Sequence, residues 1–269
     1  MDISTRREIP QSIYNFIKVL KYDSEPILLL GTAGLASQQY YSDFDLFTQI
    51  EKKQTNEQAF NRMQKIINKM DSFNDAYFIE FKIQTQKGDK EKFNTIEEIN
   101  RNKFDKLYKD IDFIKLDYVI RISNKFIELS IIYSFNPKIL TDEEFLKNIS
   151  DDVTEQKKEG NYFKALKRIF AIYNNKRIKD KLEKTDKYIY LSKFFNSEWG
   201  KLYSETANLK AIKLLLENYD DEETIKRVLL NLKEIGVKPD LKKIDNIIAK
   251  NEKKYNSKAK EVLSELNKK

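Results

Sequence analysis

With 269 residues, 40% of them hydrophobic and 12% aromatic, the chain is long enough for one large domain or two smaller ones and rich enough in apolar side chains to bury a core. Its +7 net charge at pH 7 suits a polyanionic partner, and no apolar run approaches the roughly 20 residues that a membrane-spanning helix needs. The absence of cysteine and histidine excludes disulfides, thiolate metal sites, Cys and Ser-His-Asp nucleophiles, HExxH proteases and zinc deaminases, so any catalysis must run on carboxylates, hydroxyls, Lys, Arg or an oxygen-ligated metal.

Residues 10–21 place Ile13, Phe16, Ile17 and Leu20 at helical spacing after Pro10, which predicts a first helix. The short apolar run after Pro26 predicts a strand buried on both faces and ending at Gly31, followed by the loop GTAGLASQQYYS with a short helix. A second strand is expected over Asp43–Ile50, then a helix with Phe60, Met63, Ile66, Ile67 and Met70 on one face. Tyr77, Ile79, Phe81 and Ile83 alternate with polar residues as in a half-exposed strand, and the charged stretch QKGDKEK after it reads as a loop. A helix capped by Thr95 is expected over 95–108. Asp112–Ile122 and Phe126–Phe135, joined by Ser123-Asn124-Lys125, predict a β-hairpin.

From Thr141 the period changes from two to 3.6, with helical segments that include YFKALKRIFAIY, YIYLSKFF, LKAIKLLLENY, ETIKRVLLNLKEIG and KKIDNIIAK. Residues from Lys253 onward are expected as a charged terminal helix or frayed tail. Two domains follow, 1–138 and 139–269, giving an α+β chain with an all-helical second half. Residues 139–269 hold 29 Lys/Arg against 23 Asp/Glu, whereas 1–138 hold 21 against 20, so the basic excess belongs to the helical half. Trp199 and the Tyr/Phe of 189–203 are expected in the core rather than stacked on bases. The start MDISTRREIPQS lacks the apolar core of a signal peptide, so a cytoplasmic protein without a membrane anchor is expected.

Asp43 and Asp45 lie two residues apart on one strand, so their carboxylates project from one face about 7 Å apart along the backbone. That geometry suits a shared hard cation such as Mg²⁺, which takes oxygen ligands and is commonly completed by substrate phosphates. Gly31 and Thr32 end the preceding strand, where backbone N–H groups and a hydroxyl can approach a triphosphate.

This glycine-hydroxyl turn, a spacer of ten residues and an Asp-apolar-Asp strand resemble the signature of the DNA polymerase β-type nucleotidyltransferase superfamily, with Thr32 in place of the usual Ser or Gly. The segments KFIELSIIY, GNYFKALKRIFAIYN and YLSKFFNSEWGKLYSETANLKAI are similar to parts of the poly(A) polymerases of large DNA viruses. The resemblance implies a mixed-sheet catalytic domain followed by a helical nucleotide- and RNA-binding domain. It implies two-metal phosphoryl transfer with Mg²⁺ or Mn²⁺, adding AMP from ATP to an RNA 3′ end, in the cytoplasm or a viral factory or virion.

Asp43 and Asp45 would then be catalytic metal ligands. The third carboxylate is Glu128, which is favoured as a further metal ligand, or Asp117, which keeps the superfamily's residue type. Lys164, Lys167 and Arg168 would meet the triphosphate or RNA backbone beside Gly31 and Thr32. The chain is short for that family and shows no RNA-recognition module, which leaves room for a second copy or a partner subunit. Two other functions fit the same sequence: a small nucleotidyltransferase that modifies a protein or small molecule, and a non-catalytic structural or regulatory subunit.

Overall fold

The computed structural model of the chain describes residues 27–30, 40, 42–49, 54–88, 90–93, 101–135, 141–174 and 186–267. The first half supplies strands β1 (Ile27–Leu30), β2 (Asp43–Gln49), β3 (Ala76–Thr85), β4 (Lys90–Phe93), β5 (Ile111–Ile122) and β6 (Lys125–Ser134), with helices α1 (Asn56–Asp71) and α2 (Arg101–Leu107) between them. They form one six-stranded sheet in the order β1-β2-β6-β5-β3-β4. The β2–β6 pair is parallel and the other neighbours are antiparallel, which makes the sheet mixed as expected.

The two-residue period sorts the strands into two faces. Phe44 and Leu46, Leu129 and Ile131, Leu116 and Ile114, and Phe81 and Ile83 turn to one side and bury against Met63, Ile66, Ile67 and Met70 of α1. That helix starts in a capping box in which Thr55 and Gln58 satisfy each other's backbone N–H groups. The opposite face is left to polar residues at its centre and to a second apolar patch at one end.

One expectation needs correction. The stretch Gln86–Lys92 is not a plain loop: the chain turns at Gly88, whose φ of +87° suits glycine, and Lys90–Phe93 pairs back onto β3 as an edge strand. An edge strand can be charged because it has no second neighbour to pack, so the hydropathy signal was missing. Of the terminal helix or frayed tail expected from Lys253, the helix is found: it runs from Leu241 to Leu266, with Tyr255, Ala259, Val262, Leu263 and Leu266 buried. The helix expected over 10–21, most of the loop after Gly31 and the start of the helix expected over 95–108 lie outside the described residues.

The second half consists of α3 (Asp142–Lys158), α4 (Tyr162–Asn174), α5 (Asp186–Phe195), α6 (Glu198–Asn218), α7 (Glu222–Glu234) and α8 (Leu241–Leu266). Phe163, Phe170, Leu191 and Phe195 pack with α8 into a separate aromatic-rich core, and Trp199 and Tyr203 lie half-buried against it. Core packing is thus the place of these aromatics, as the sequence suggested. Helix α6 lies on the polar face of the sheet. Its Leu209, Ile212 and Leu215 bury against Tyr77, Val119 and Phe126, at about 1.5–3 kcal/mol per side chain. The Tyr219 hydroxyl donates to the Phe78 carbonyl at 2.7 Å and Arg227 pairs with Asp75 at 2.6 Å, which fixes the helices to β3. Among the described residues no helix is long and apolar enough to cross a membrane.

Candidate active site

Phe44 and Leu46 turn into the core at 0% and 1% exposure, and strand alternation therefore sends Asp43 and Asp45 to the opposite face, at the start of β2. The parallel register puts Glu128 of β6 directly beside Asp43 and Ser130 beside Asp45. Neighbouring strands lie about 4.8 Å apart, so Asp43 and Glu128 face each other across a single inter-strand gap. The antiparallel β5–β6 register places Asp117 beside Ser130, one strand farther from β2.

Asp117 and Glu128 differ in what they touch. The Asp117 carboxylate is buried and accepts from the Ser130 hydroxyl at 2.6 Å, from Lys82 at 3.1 Å and from Lys115 at 3.0 Å. Its charge is met within the sheet. Lys82 also pairs with Glu80; burial opposes its ammonium, and the bonds to Glu80 and Asp117 more than offset that and raise its pKa. Glu128 has no ion pair among the described residues, and burial, followed by the charges of Asp117, Asp43 and Asp45, pushes its pKa up to about 7 against the weaker pull of Lys115. Asp45 is raised too, first by burial and then by Asp43, while Lys115 and Lys167 pull the other way.

A cleft of about 160 Å³ opens beside this pair, lined by Ser42, Asp43 and Glu128 from the sheet and by Lys164, Tyr203 and Lys210 from the helices. Lys164 is exposed and lines the cleft. Lys167 does something different. Its ammonium donates to the Ser42 hydroxyl at 3.3 Å and to the Tyr203 hydroxyl at 3.2 Å, and lies 4.7 Å from the Tyr203 ring centre. Ser42 in turn donates to the Asp43 carboxylate. Burial disfavours the charge on Lys167, but Tyr203 and Asp43 together outweigh it and hold its pKa above the usual lysine value. Arg168 points away from the cleft toward α3, where it pairs with Asp152 at 2.6 Å. Gly31 and Thr32 lie outside the described residues.

Sequence reasoning missed Ser42, Tyr203, Thr206, Lys210 and Tyr255, all of which line the cleft. A signal was there for three of them: positions 203, 206 and 210 fall on one face of α6.

The donors present fit a hard divalent cation. They are carboxylate oxygens on one face, and the raised pKa values of Asp45 and Glu128 reflect burial first and then the repulsion of neighbouring carboxylates, which such a cation would relieve. Among the described residues no group of three or more acidic side chains closes around a single point. Mg²⁺ bound through one or two carboxylates, water and substrate phosphates does not require one.

The mixed sheet with a carboxylate pair on β2 and the helical second half make an α+β fold that solved structures share. The chain is similar to the Mg662 protein of M. chilensis, solved in complex with GTP, at a TM-score of 0.59 and 10% identity over 91% of this chain and 90% of that one. It is similar as well to two structures of nucleotidyl transferases encoded by Megaviridae ORFan genes. One gives a TM-score of 0.61 at 9% identity over 95% of this chain and 92% of that one, the other 0.60 at 10% identity over 94% of each. No family model and no curated protein matches the sequence.

Proposed function

We propose that the chain is a metal-dependent nucleotidyltransferase that adds nucleotides, AMP from ATP, to an RNA 3′ end. The observation that carries this reading is the parallel register of β2 and β6, which sets Glu128 beside Asp43 with Asp45 on the same face, at a cleft lined by Lys164 and Lys210. The fold shared with nucleotidyl transferases, one relative of which was solved with GTP, supports it. In this reading residues 1–138 carry the chemistry and 139–269 hold nucleotide and RNA.

Asp43 and Asp45, with Glu128 across the inter-strand gap from Asp43, offer the carboxylates of which one or two would hold Mg²⁺ or Mn²⁺, an ion that when bound acidifies the acceptor hydroxyl and stabilises the leaving pyrophosphate. The hydroxyl oxygen forms a bond to the α-phosphorus while the bond from that phosphorus to the oxygen bridging the β-phosphate breaks. The hydroxyl proton passes to solvent, and pyrophosphate departs. Lys164 offers charge to the triphosphate, Lys210 beside it is paired with Glu252 at 2.7 Å, and Lys167 holds Ser42 and so orients Asp43. Asp117, held by Lys82, Lys115 and Ser130, shapes the floor of the site without touching substrate.

The test is extension of a labelled RNA oligonucleotide by the full chain with Mg²⁺ or Mn²⁺ and each of the four ribonucleoside triphosphates. Lengthening that is strongest with ATP and absent in the Asp43→Asn/Asp45→Asn variant supports the reading; no extension with any nucleotide refutes it. Transfer of label from ATP to a protein or small molecule, with none to RNA, moves the activity to another acceptor.

A further inference from the structure

A cavity of about 730 Å³ lies next to the carboxylate cleft and has no part in the reading above. Its position follows from the sheet register. Strand β2 begins at Asp43, opposite Glu128, so Lys125, Phe126 and Ile127 of β6 run on past the end of β2 with that edge unpaired by it. Helix α6 covers the edge, and Asn208 closes part of it by accepting the Phe126 N–H at 2.7 Å. The cavity occupies the remainder. It adjoins the cleft residue by residue: Ile127 next to Glu128, Ser204 next to Tyr203, and Tyr40 two positions before Ser42.

The two spaces differ in chemistry. Ile127, Leu209, Val237 and Ile247 give the cavity an aliphatic floor. Three carboxamides, on Asn124, Asn208 and Asn251, line it. Asn208 is 4% exposed, its oxygen is committed to Phe126, and its NH₂ has one contact, to Asn231 at a long 3.5 Å, so donor capacity is left over. Asn251 is half-buried and makes no hydrogen bond among the described residues. The charged residues at the rim are Glu205, Glu234 and Lys125, one negative charge in excess. That balance disfavours a triphosphate there relative to the neighbouring cleft, where Lys164 is exposed.

We infer that this cavity holds the uncharged terminal nucleoside of the acceptor, its base edge read by the asparagine amides and its ring faces resting on the aliphatic floor. Such a volume, mostly apolar with a few convergent amides, is that of a small-molecule pocket, and a nucleobase has the flat apolar faces and donor-acceptor edges that these groups complement. In-line transfer places the attacking hydroxyl and the leaving pyrophosphate on opposite sides of the reacting phosphorus. A lysine-lined cleft for the triphosphate and a cavity without excess positive charge for the acceptor nucleoside, with Asp43 and Glu128 on the cleft side, fit that arrangement. The inference rests on the nucleotidyltransferase reading for the word acceptor; the binding itself does not.

The experiment is calorimetric titration of the full chain with adenosine, guanosine, cytidine and uridine, none of which carries phosphate, alone and with saturating non-hydrolysable ATP and Mg²⁺. At least one nucleoside should bind in both conditions. Ile247→Trp, which fills the cavity, and Asn251→Leu, which removes an amide the fold does not use, should each weaken it at least tenfold. The inference is overturned if no nucleoside binds, if the ATP analogue displaces the nucleoside, or if both variants bind it as well as the parent chain. Because no turnover is measured, nucleoside binding retained in an inactive protein would sink only the proposed activity. RNA extension without nucleoside binding would sink only this inference.

Discussion

Replacing Glu128 by Gln should make the metal-free protein more stable at pH 8 while leaving it nearly unchanged at low pH. Glu128 is raised from an ordinary value of 4.5 to about 7 by burial and by the surrounding carboxylates. A carboxyl whose folded pKa exceeds its unfolded one holds its proton more tightly when folded. Its contribution is therefore fully present below about pH 4.5 and is lost as the pH rises through about 7. At roughly 1.4 kcal/mol per pKa unit, the loss is at most about 3 kcal/mol, most of it between pH 5 and 8. Urea denaturation in EDTA at pH 5, 6, 7 and 8 measures it. The parent protein should fall relative to Glu128→Gln by up to about 3 kcal/mol across that range, since every other titrating group is common to both. Adding Mg²⁺ at pH 8 should recover more stability in the parent than in the variant. Equal pH slopes for the two proteins in EDTA would refute the claim that Glu128 sits ionised only at a cost.

Asp43→Asn should lower nucleotidyl transfer by about a hundredfold or more, since even outer partners of a metal site cost 10–100-fold, with circular dichroism unchanged. Lys164→Ala should leave stability within about 0.5 kcal/mol, because the side chain is exposed, while raising the KM for the nucleoside triphosphate. Lys167→Met should do the opposite in stability, losing about 1–3 kcal/mol by denaturant titration as the Ser42 and Tyr203 hydroxyls lose their partner. Gly200→Ala should destabilise the chain by about 1–3 kcal/mol or more, since its new Cβ would meet the Phe195 carbonyl oxygen at 1.8 Å where α6 follows α5. A Gly200→Ala protein with unchanged melting behaviour would contradict that packing.

What could be read from the sequence was whatever depends on neighbours in the chain. The spacing of Asp43 and Asp45 on one strand face, the α1 stripe of Met63, Ile66, Ile67 and Met70, and the hairpin around Ser123-Asn124 all follow from periods of two and 3.6 residues. What could not be read depends on register between distant strands. Asp117 and Glu128 each lie on an alternating hairpin strand and look equivalent along the chain. Only the β2–β6 pairing separates the one that faces Asp43 from the one that is neutralised by Lys82 and Lys115. The same holds for Lys164, Lys167 and Arg168, which share one basic run on α4. One turn of helix decides that the first lines the cleft, the second ties Tyr203 to Ser42 and the third pairs with Asp152. The edge strand Lys90–Phe93 escaped because its pattern carries charge where periodicity looks for apolar residues.

The absence of histidine, which first narrowed the chemistry, gains a structural counterpart in Glu128. A chain without imidazole lacks the side chain whose ordinary pKa lies near neutrality, and a proton acceptor at that pH must be made by environment. Burial on the sheet face, with Asp117, Asp43 and Asp45 beside it, lifts Glu128 to about 7 and gives the metal-free chain a group that titrates there. A divalent cation bound in the proposed site would favour its ionised form again. In that proposal the metal draws on the local surplus of negative charge. The lysines that might have cancelled it, Lys82 and Lys115, are instead engaged one strand away on Asp117. Substituting Asp117 should therefore act on the site indirectly: with Asp117→Asn, Lys115 is freed to turn toward Glu128 and lower its pKa. The stability difference between the parent and Glu128→Gln proteins should then shrink when both are measured in the Asp117→Asn background.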